Sequence, residues 1–410
     1  MRMMKGNRAL WSLGATAIGV CILTGIASAD VNDVSTERSG SIIVFPKVVW
    51  DGTRDTVVKI NNISNQLVQA HCFYVNAAPA NPGPPSVTNP PQCNETDFDL
   101  ILTRQQPTHW VVSEGRFTSV GFGNDSSGIS PGLVPPVPFG FIGELKCIQV
   151  NPDDGSPLRG NALKGEANLV RLDGDVAAYN AIALHGNTDM SVQDGASIDD
   201  LVLDLTGPNP NFPANPAIPG SQPGTPGNNG MYSACPDTLI VDHISVGAQD
   251  LVLAGSTLQP GIGDCDDTGG CPVTSELTVV TCNEDFDTQT FKPVTLGFNV
   301  WNEFEQRLSG SFTLGCFAEL PLEAISPDFT QRLLGTFSAH ARFTPNPGNG
   351  GVLGILEEVR HLDQASPASG QAGAAVAANL HFEGNRFDAA TDGVGTPVQG
   401  ATDHIIIPAP

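Results

Sequence analysis

From Ser41 onward, short apolar runs alternate with polar punctuation. "SIIVFPKVV", "DTVVKI", "LVQAHCFYV", "FIGELKCIQV", "EANLVRL" and "AAYNAIAL" carry Val, Ile, Phe and Tyr at spacing two, with Asn, Gly, Asp and Pro between the runs. Spacing two is the period of a half-buried strand, and these residue types fit a pleated surface. The pattern resumes in "DTLIVDHISV", "SELTVVTCN", "KPVTLGFNVWNEFEQRLSGSFTLGCFAEL", "GTFSAHARFT", "GGVLGILEEV", "AAVAANLHFE" and "DHIIIPAP". Long runs of helical period are missing. One short helix is expected, capped by Ser326, with Pro327 in its first turn and Gly335 ending it after Leu334. The fold class is therefore all-β, read as two β-sandwich (immunoglobulin-like) domains.

The two strand-rich halves are separated by "TGPNPNFPANPAIPGSQPGTPGNNG", residues 206–230. Its Pro and Gly can neither nucleate a helix nor supply an unbroken strand ladder. The expected organisation is a signal peptide over 1–29, a first sandwich over 30–205, a Pro/Gly-rich linker over 206–236 and a second sandwich over 237–410. Two smaller stretches of this kind, 76–92 and 123–140, read as long loops. In the first half "VVKINNIS" is expected to return as "LVQAHCF" in a hairpin. In the second, "LGFNVWNEFE" returns as "LSGSFTLGCF", which suggests that the halves are distant copies.

The first 29 residues set the compartment. Arg2, Lys5 and Arg8 precede an uncharged run from Ala9 that ends in Ala27-Ser28-Ala29. A basic start, an apolar middle and a small-x-small end describe a secretory signal peptide. The competing reading, an uncleaved anchor, is weakened by Gly14, Gly19 and Gly25 within the run. No later stretch is long and apolar enough to span a bilayer. The formal charge is -24, and losing residues 1–29 removes three cations and no acids, giving -27. Such a balance excludes nucleic acid, whose phosphates call for clustered Lys and Arg. It equally excludes anionic lipid held by a basic patch. A protein or a glycan remains as a partner.

Eight cysteines follow the leader: Cys72, Cys93, Cys147, Cys235, Cys265, Cys271, Cys282 and Cys316. An even count in an exported chain implies disulfides but not their connectivity. Cys72 with Cys93 and Cys265 with Cys271 would close short loops. Cys147 with Cys235 would then leave Cys282 with Cys316.

Little catalytic chemistry is written in the motifs. His71 and Cys72 are adjacent on a strand, so they point to opposite faces and cannot serve one metal or one nucleophile. Cys72 belongs to the apolar face with Val68, Ala70 and Tyr74. Gly128-Ile129-Ser130-Pro131-Gly132 matches the hydrolase pattern G-x-S-x-G but lacks the strand before it and the helix after it. The zinc signature H-E-x-x-H, paired C-x-x-C motifs and a phosphate-cradling loop are all missing. No catalytic or cofactor-binding residue is assigned. Calcium is the one cofactor with candidate ligands, Asp264, Asp266 and Asp267 in "GDCDDTGGC". Their order departs from the EF-hand pattern, and an acidic turn explains them more simply.

Trp110 and Trp301 could contact a glycan or protein if they lay on loops, but both sit in strand-like runs that favour the core. Glu303 and Glu305 follow Trp301 at strand spacing, so their carboxylates are expected to share a face. The alternative reading is a secreted hydrolase acting on glycan or peptide with carboxylates from separate strands, for which that lone pair is slender support. "DTVVKINNISNQLVQAHCFYVN" and "VWNEFEQRLSG", taken with the amino-terminal leader, resemble segments of uncharacterised exported bacterial proteins. The resemblance implies export and a β fold and carries no functional residue. The preferred expectation is an exported, acidic, disulfide-stabilised protein with a structural or binding role at the cell surface or in the periplasm.

Overall fold

The computed structural model describes residues 34–81, 89–117, 130–153, 155, 158, 160–172, 174–186, 202–204, 235–248, 273–285, 290–291, 293–346, 351–361 and 372–385. Within them the period-two runs are strands, and the large ladders are antiparallel. The described residues are nearly all β, as expected.

The first half supplies β1 (Val34–Ser35), β2 (Ile42–Trp50), β3 (Arg54–Asn62), β4 (Val68–Asn76) and β5 (Asn94–Leu102). It continues with β6 (Pro107–Val111), β7 (Phe141–Val150), β8 (Leu163–Arg171), β9 (Val176–Asn180) and β10 (Ile182–Leu184). Hydrogen bonding runs in the order β5-β4-β7-β2-β3-β8-β9, with β10 also on β2, β1 on β10 and β6 on β3. β2 and β3 meet at a single rung, Trp50 opposite Asp55. The path therefore turns a corner there and becomes two layers. Phe45, Tyr74, Leu100 and Leu145 from one layer pack with Ile60, Trp110, Leu169 and Tyr179 from the other in one core. The arrangement is consistent with sandwich packing: inward residues alternate along β3, β6, β8 and β9, while β2 and β7 are buried on both faces.

The stretch 55–76 is not the hairpin that its sequence suggested. β3 bonds to β8 and β6, whereas β4 bonds to β5 and β7, and the two do not pair. Asn62 redirects the chain between layers. It is buried, its Nδ2 donates to Gln66 O at 2.7 Å and Thr103 O at 2.9 Å, and its Oδ1 accepts from Ser64 N at 2.8 Å. Asn turns of this kind mimic a backbone turn.

β11 (Val202–Asp204) closes the first half, and the second supplies β12 (Pro236–Ile244), β13 (Val273–Thr281), β14 (Asn283–Asp285), β15 (Thr290–Phe291) and β16 (Val294–Asn302). After these come β17 (Arg307–Leu314), β18 (Phe317–Pro321), β19 (Ser338–Pro345), β20 (Val352–His361), β21 (Ala372–Asn379) and β22 (His381–Asn385). A five-stranded sheet has the order β17-β16-β19-β12-β22, a four-stranded sheet the order β18-β13-β20-β21, and β11-β14-β15 form a small third. Phe298, Phe343 and Leu239 of the five-stranded sheet pack against Leu277, Val279 and Leu356 of the four-stranded one.

The expected helix is present but interrupted. α1 (Leu322–Ile325) is followed by a 3-10 turn, Pro327–Phe329, and by α2 (Gln331–Leu334). Ser326 Oγ accepts from Asp328 N at 3.2 Å, and Gly335 ends α2 in the left-handed region at φ 72°. The break falls at Thr330 because Val246 takes the backbone on both sides of it. Val246 N donates to Phe329 O, and Val246 O accepts from Gln331 N.

The other face of the four-stranded sheet covers the first half. Val280 and Leu353 pack with Ile42, Val44 and Ile148, while Ile355, Val359 and Ala377 join the first sandwich core. The chain halves thus share apolar cores, although the large sheets are each drawn from one half.

Three disulfides lie among the described residues: Cys72–Cys147, Cys93–Cys316 and Cys235–Cys282. The short-loop pairing of Cys72 with Cys93 does not form, nor do Cys147–Cys235 and Cys282–Cys316. Cys72 and Cys147 are direct register partners on β4 and β7, with Cα atoms 4.0 Å apart, so proximity across strands prevails over proximity along the chain. Cys93–Cys316 ties the halves together across 223 residues. Cys265 and Cys271 lie outside the described residues. Among the described residues no helix is long and apolar enough to cross a membrane.

Candidate functional site

The most concentrated chemistry lies where the two halves meet. β2 carries an irregularity between Phe45 and Val48, at Pro46-Lys47. A bulge re-aims a side chain, and here it sends Lys47 out of its own sandwich toward the four-stranded sheet. Three carboxylates receive it: Glu276 on β13, Glu319 on β18 and Glu357 on β20. Lys47 Nζ lies 2.7 Å from Glu319 Oε1 and 3.5 Å from Glu276 Oε2, and it also bonds to Glu357 Oε2. Tyr179 holds the lysine backbone, accepting from Lys47 N at 3.2 Å and donating to Lys47 O.

Two arginines complete the balance. Arg54 Nη1 lies 2.8 Å from Glu319 Oε1, and its Nε lies 2.8 Å from Asp51 Oδ2. Arg171 Nη2 stands 3.8 Å from Glu357 Oε1. A second buried pair sits nearby, where Lys146 Nζ donates to Glu144 Oε1 at 3.0 Å and to Thr281 O at 3.1 Å across the boundary.

Burial alone would depress the Lys47 ammonium, but Glu319, Glu357 and Glu276 outweigh it and hold its pKa above the ordinary lysine value. Burial alone would raise Glu319, but Lys47 and Arg54 outweigh it and keep that carboxyl well below the usual range. Glu276 goes the other way. Its burial prevails over Lys47, and its pKa is raised.

The carboxylate oxygens of Glu276, Glu319 and Glu357 lie within 4.8 Å of one another, close enough to hold a cation. Lys47 Nζ already provides that charge from among them. The arrangement is an internal ion cluster, and its chemistry is cohesion between layers. The metal candidates read from the sequence, Asp264, Asp266 and Asp267, lie outside the described residues.

The other singled-out residues fall elsewhere. Cys72 is buried and His71 half-buried on the opposite face, where its Nδ1 lies 2.8 Å from Asp99 Oδ1. Trp110 is core, with Nε1 donating to Tyr74 Oη at 2.5 Å. Trp301 is different. It stands partly exposed on the outer face of β16, beside His340 with ring centroids 5.7 Å apart. Glu303 and Glu305 do not share a strand face, because β16 ends at Asn302 and both lie in the turn to β17. Glu305 adopts φ 62°, and Glu303 accepts from Ser338 N at 2.8 Å and Ser338 Oγ at 2.9 Å. Asn302 shapes this turn as Asn62 shapes the first, accepting from Phe304 N and Gln306 N.

No family model matches the chain, and no curated protein matches it by sequence. Among solved structures, a Parabacteroides distasonis protein described as secreted is similar over 78% of this chain and 90% of that one, at 9% identity and a TM-score of 0.14. Cowpea mosaic virus empty particles give 82%, 93%, 9% and 0.14. The CupB6 tip adhesin of Pseudomonas aeruginosa gives 85%, 94%, 11% and 0.10. Scores at this level carry no argument about fold or role.

Proposed function

We propose that the chain is an exported protein with a structural or binding role at the cell surface or in the periplasm. The observation that carries this reading is the way the halves are fastened. The Cys93–Cys316 bridge and the ion cluster around Lys47 close the same boundary that the shared cores fill. Disulfides persist in oxidising compartments, which accords with the leader read in the sequence. A rigid body with uncovered sheet faces suits recognition, because a preorganised surface loses little freedom on binding. The halves 30–205 and 237–410 are read as two sandwich modules joined through 206–236. Glu303 and Glu305 lend the hydrolase alternative no support, since both sit in a turn and Glu303 is engaged with Ser338.

Export and binding are tested together. The protein is recovered from its native host by osmotic shock, alkylated before reduction and weighed intact. Purified protein is then titrated onto whole cells and isolated sacculi. Closed cysteines in an exported fraction and saturable binding are expected. Free thiols at the six bridged positions, or recovery with the cytosol, would sink the proposal.

A further inference from the structure

The outer face of the five-stranded sheet carries side chains in continuous rows. Register places Arg307 opposite Trp301, Trp301 opposite His340, and His340 opposite Asp242, one row across β17, β16, β19 and β12. The next row is Ser309, Asn299, Arg342 and Ile240, and a third is Ser311, Gly297 and Thr344. Thr313 and Thr295 follow. All of these positions are exposed or half-buried, while the alternate residues of β16 and β19 fill the core. Strands lie about 4.8 Å apart, so a four-strand row spans about 14 Å.

We infer that this face binds a neutral, hydroxyl-rich glycan, with Trp301 as the stacking platform; the inference rests on the binding role proposed above. An indole offers a flat apolar surface with a polar edge, which suits the C–H face of a sugar ring. The ring is braced, since His340 lies against it and Asp242 Oδ1 holds His340 Nδ1 at 2.7 Å. Beyond it lie hydroxyls, an amide and guanidinium groups on short rows, the groups that satisfy sugar hydroxyls and fix orientation. Gly297 bears no side chain, so the floor dips between Ser311 and Thr344.

The face suits a glycan better than a protein. Protein interfaces centre on a dehydrated cluster of aromatic and apolar anchors, and the rows beyond Trp301 are polar except for Ile240. Charge argues for a neutral ligand. Arg307 and Arg342 are set against Asp242 within the rows, and a chain of net charge -24 repels polyanions.

The test is affinity electrophoresis of the full, oxidised protein in native gels containing xyloglucan, galactomannan, mixed-linkage β-glucan or dextran, with pull-down on cellulose and chitin. At least one of these should retard or retain the protein with little dependence on salt. Trp301→Ala should weaken that interaction at least tenfold with its thermal unfolding and disulfides unchanged. Asn299→Ala, which leaves the ring in place, should weaken it severalfold and serves if the tryptophan variant misfolds. No interaction with any of these glycans, an equal interaction by both variants, or one that salt abolishes would overturn the inference. If binding to cells or sacculi persists in that case, the wider proposal stands and only the glycan face fails. If that binding is also missing, both fail.

Discussion

Glu276 and Glu357 stand directly opposite each other on β13 and β20, and Lys47 from the other half of the chain bonds to both. Like charges facing across a ladder are destabilising. The lysine turns that repulsion into a fastening, because the four-stranded sheet is electrostatically incomplete until the first half docks on it. Removing one member of a buried ion set leaves uncompensated charge and costs about 3–5 kcal/mol. Lys47→Met is therefore expected to lower unfolding stability by about that amount in urea denaturation. Adding Glu357→Gln to it should recover part of the loss. A Lys47→Met protein within about 1 kcal/mol of the parent would show that the fastening is not electrostatic.

The same cluster sets two opposed pH dependences. Glu319 has a folded-state pKa below its unfolded value of about 4.3, so its contribution is fully present above that value and fades as pH falls through the folded value. Glu276 has a folded-state pKa above its unfolded value. Its contribution is present below the unfolded value and fades as pH rises through the folded one. Urea midpoints measured from about pH 3 to about pH 8 should separate the two. Glu319→Gln should flatten the acid limb, whereas Glu276→Gln should leave that limb in place and raise stability at neutral pH. Identical profiles for both variants would refute this assignment of opposite signs.

Cys93–Cys316 makes a prediction about connectivity. With a protease site engineered within residues 206–230, cleavage should leave one species without reductant and two with it. The double variant Cys93→Ser, Cys316→Ser should lose about 2–5 kcal/mol. Two cleaved species without reductant would mean that this bridge is not what holds the halves.

The period-two runs made the strands legible, because burial on one face forces alternation along the chain. Pairing was not legible, since β4 finds β7 rather than β3 and the register partner of Cys72 lies 75 residues away. The Asn-rich turn at 61–65 reads equally well as a hairpin loop or as a corner between layers. Glu303 and Glu305 looked like a strand pair because nothing marks the last residue of β16. The ion cluster was missed although its signal was visible. Lys47 interrupts the apolar run "IIVFPKVV", and Glu357 does the same in "VLGILEEV". A charge inside an otherwise apolar strand implies a buried partner, but the sequence does not say which charge answers which.

Asn62 and Asn302 supply the last prediction. Each is buried, each donates through Nδ2 to at least one backbone carbonyl, and each accepts at least one backbone N–H through Oδ1. An Ala at either position leaves buried donors and acceptors unmatched, at about 1–3 kcal/mol for each group left without a partner. Asp discriminates further. It keeps the acceptor that shapes the turn but replaces the donor with a charge facing carbonyl oxygens, Gln66 O and Thr103 O at one site and Leu334 O at the other. Asn62→Asp and Asn302→Asp should therefore destabilise at least as much as the Ala variants at neutral pH, and recover as acid protonates the carboxyl. Thermal unfolding of the four single variants at two pH values measures this. Asp variants more stable than Ala at neutral pH would show that turn shaping outweighs the lost donor.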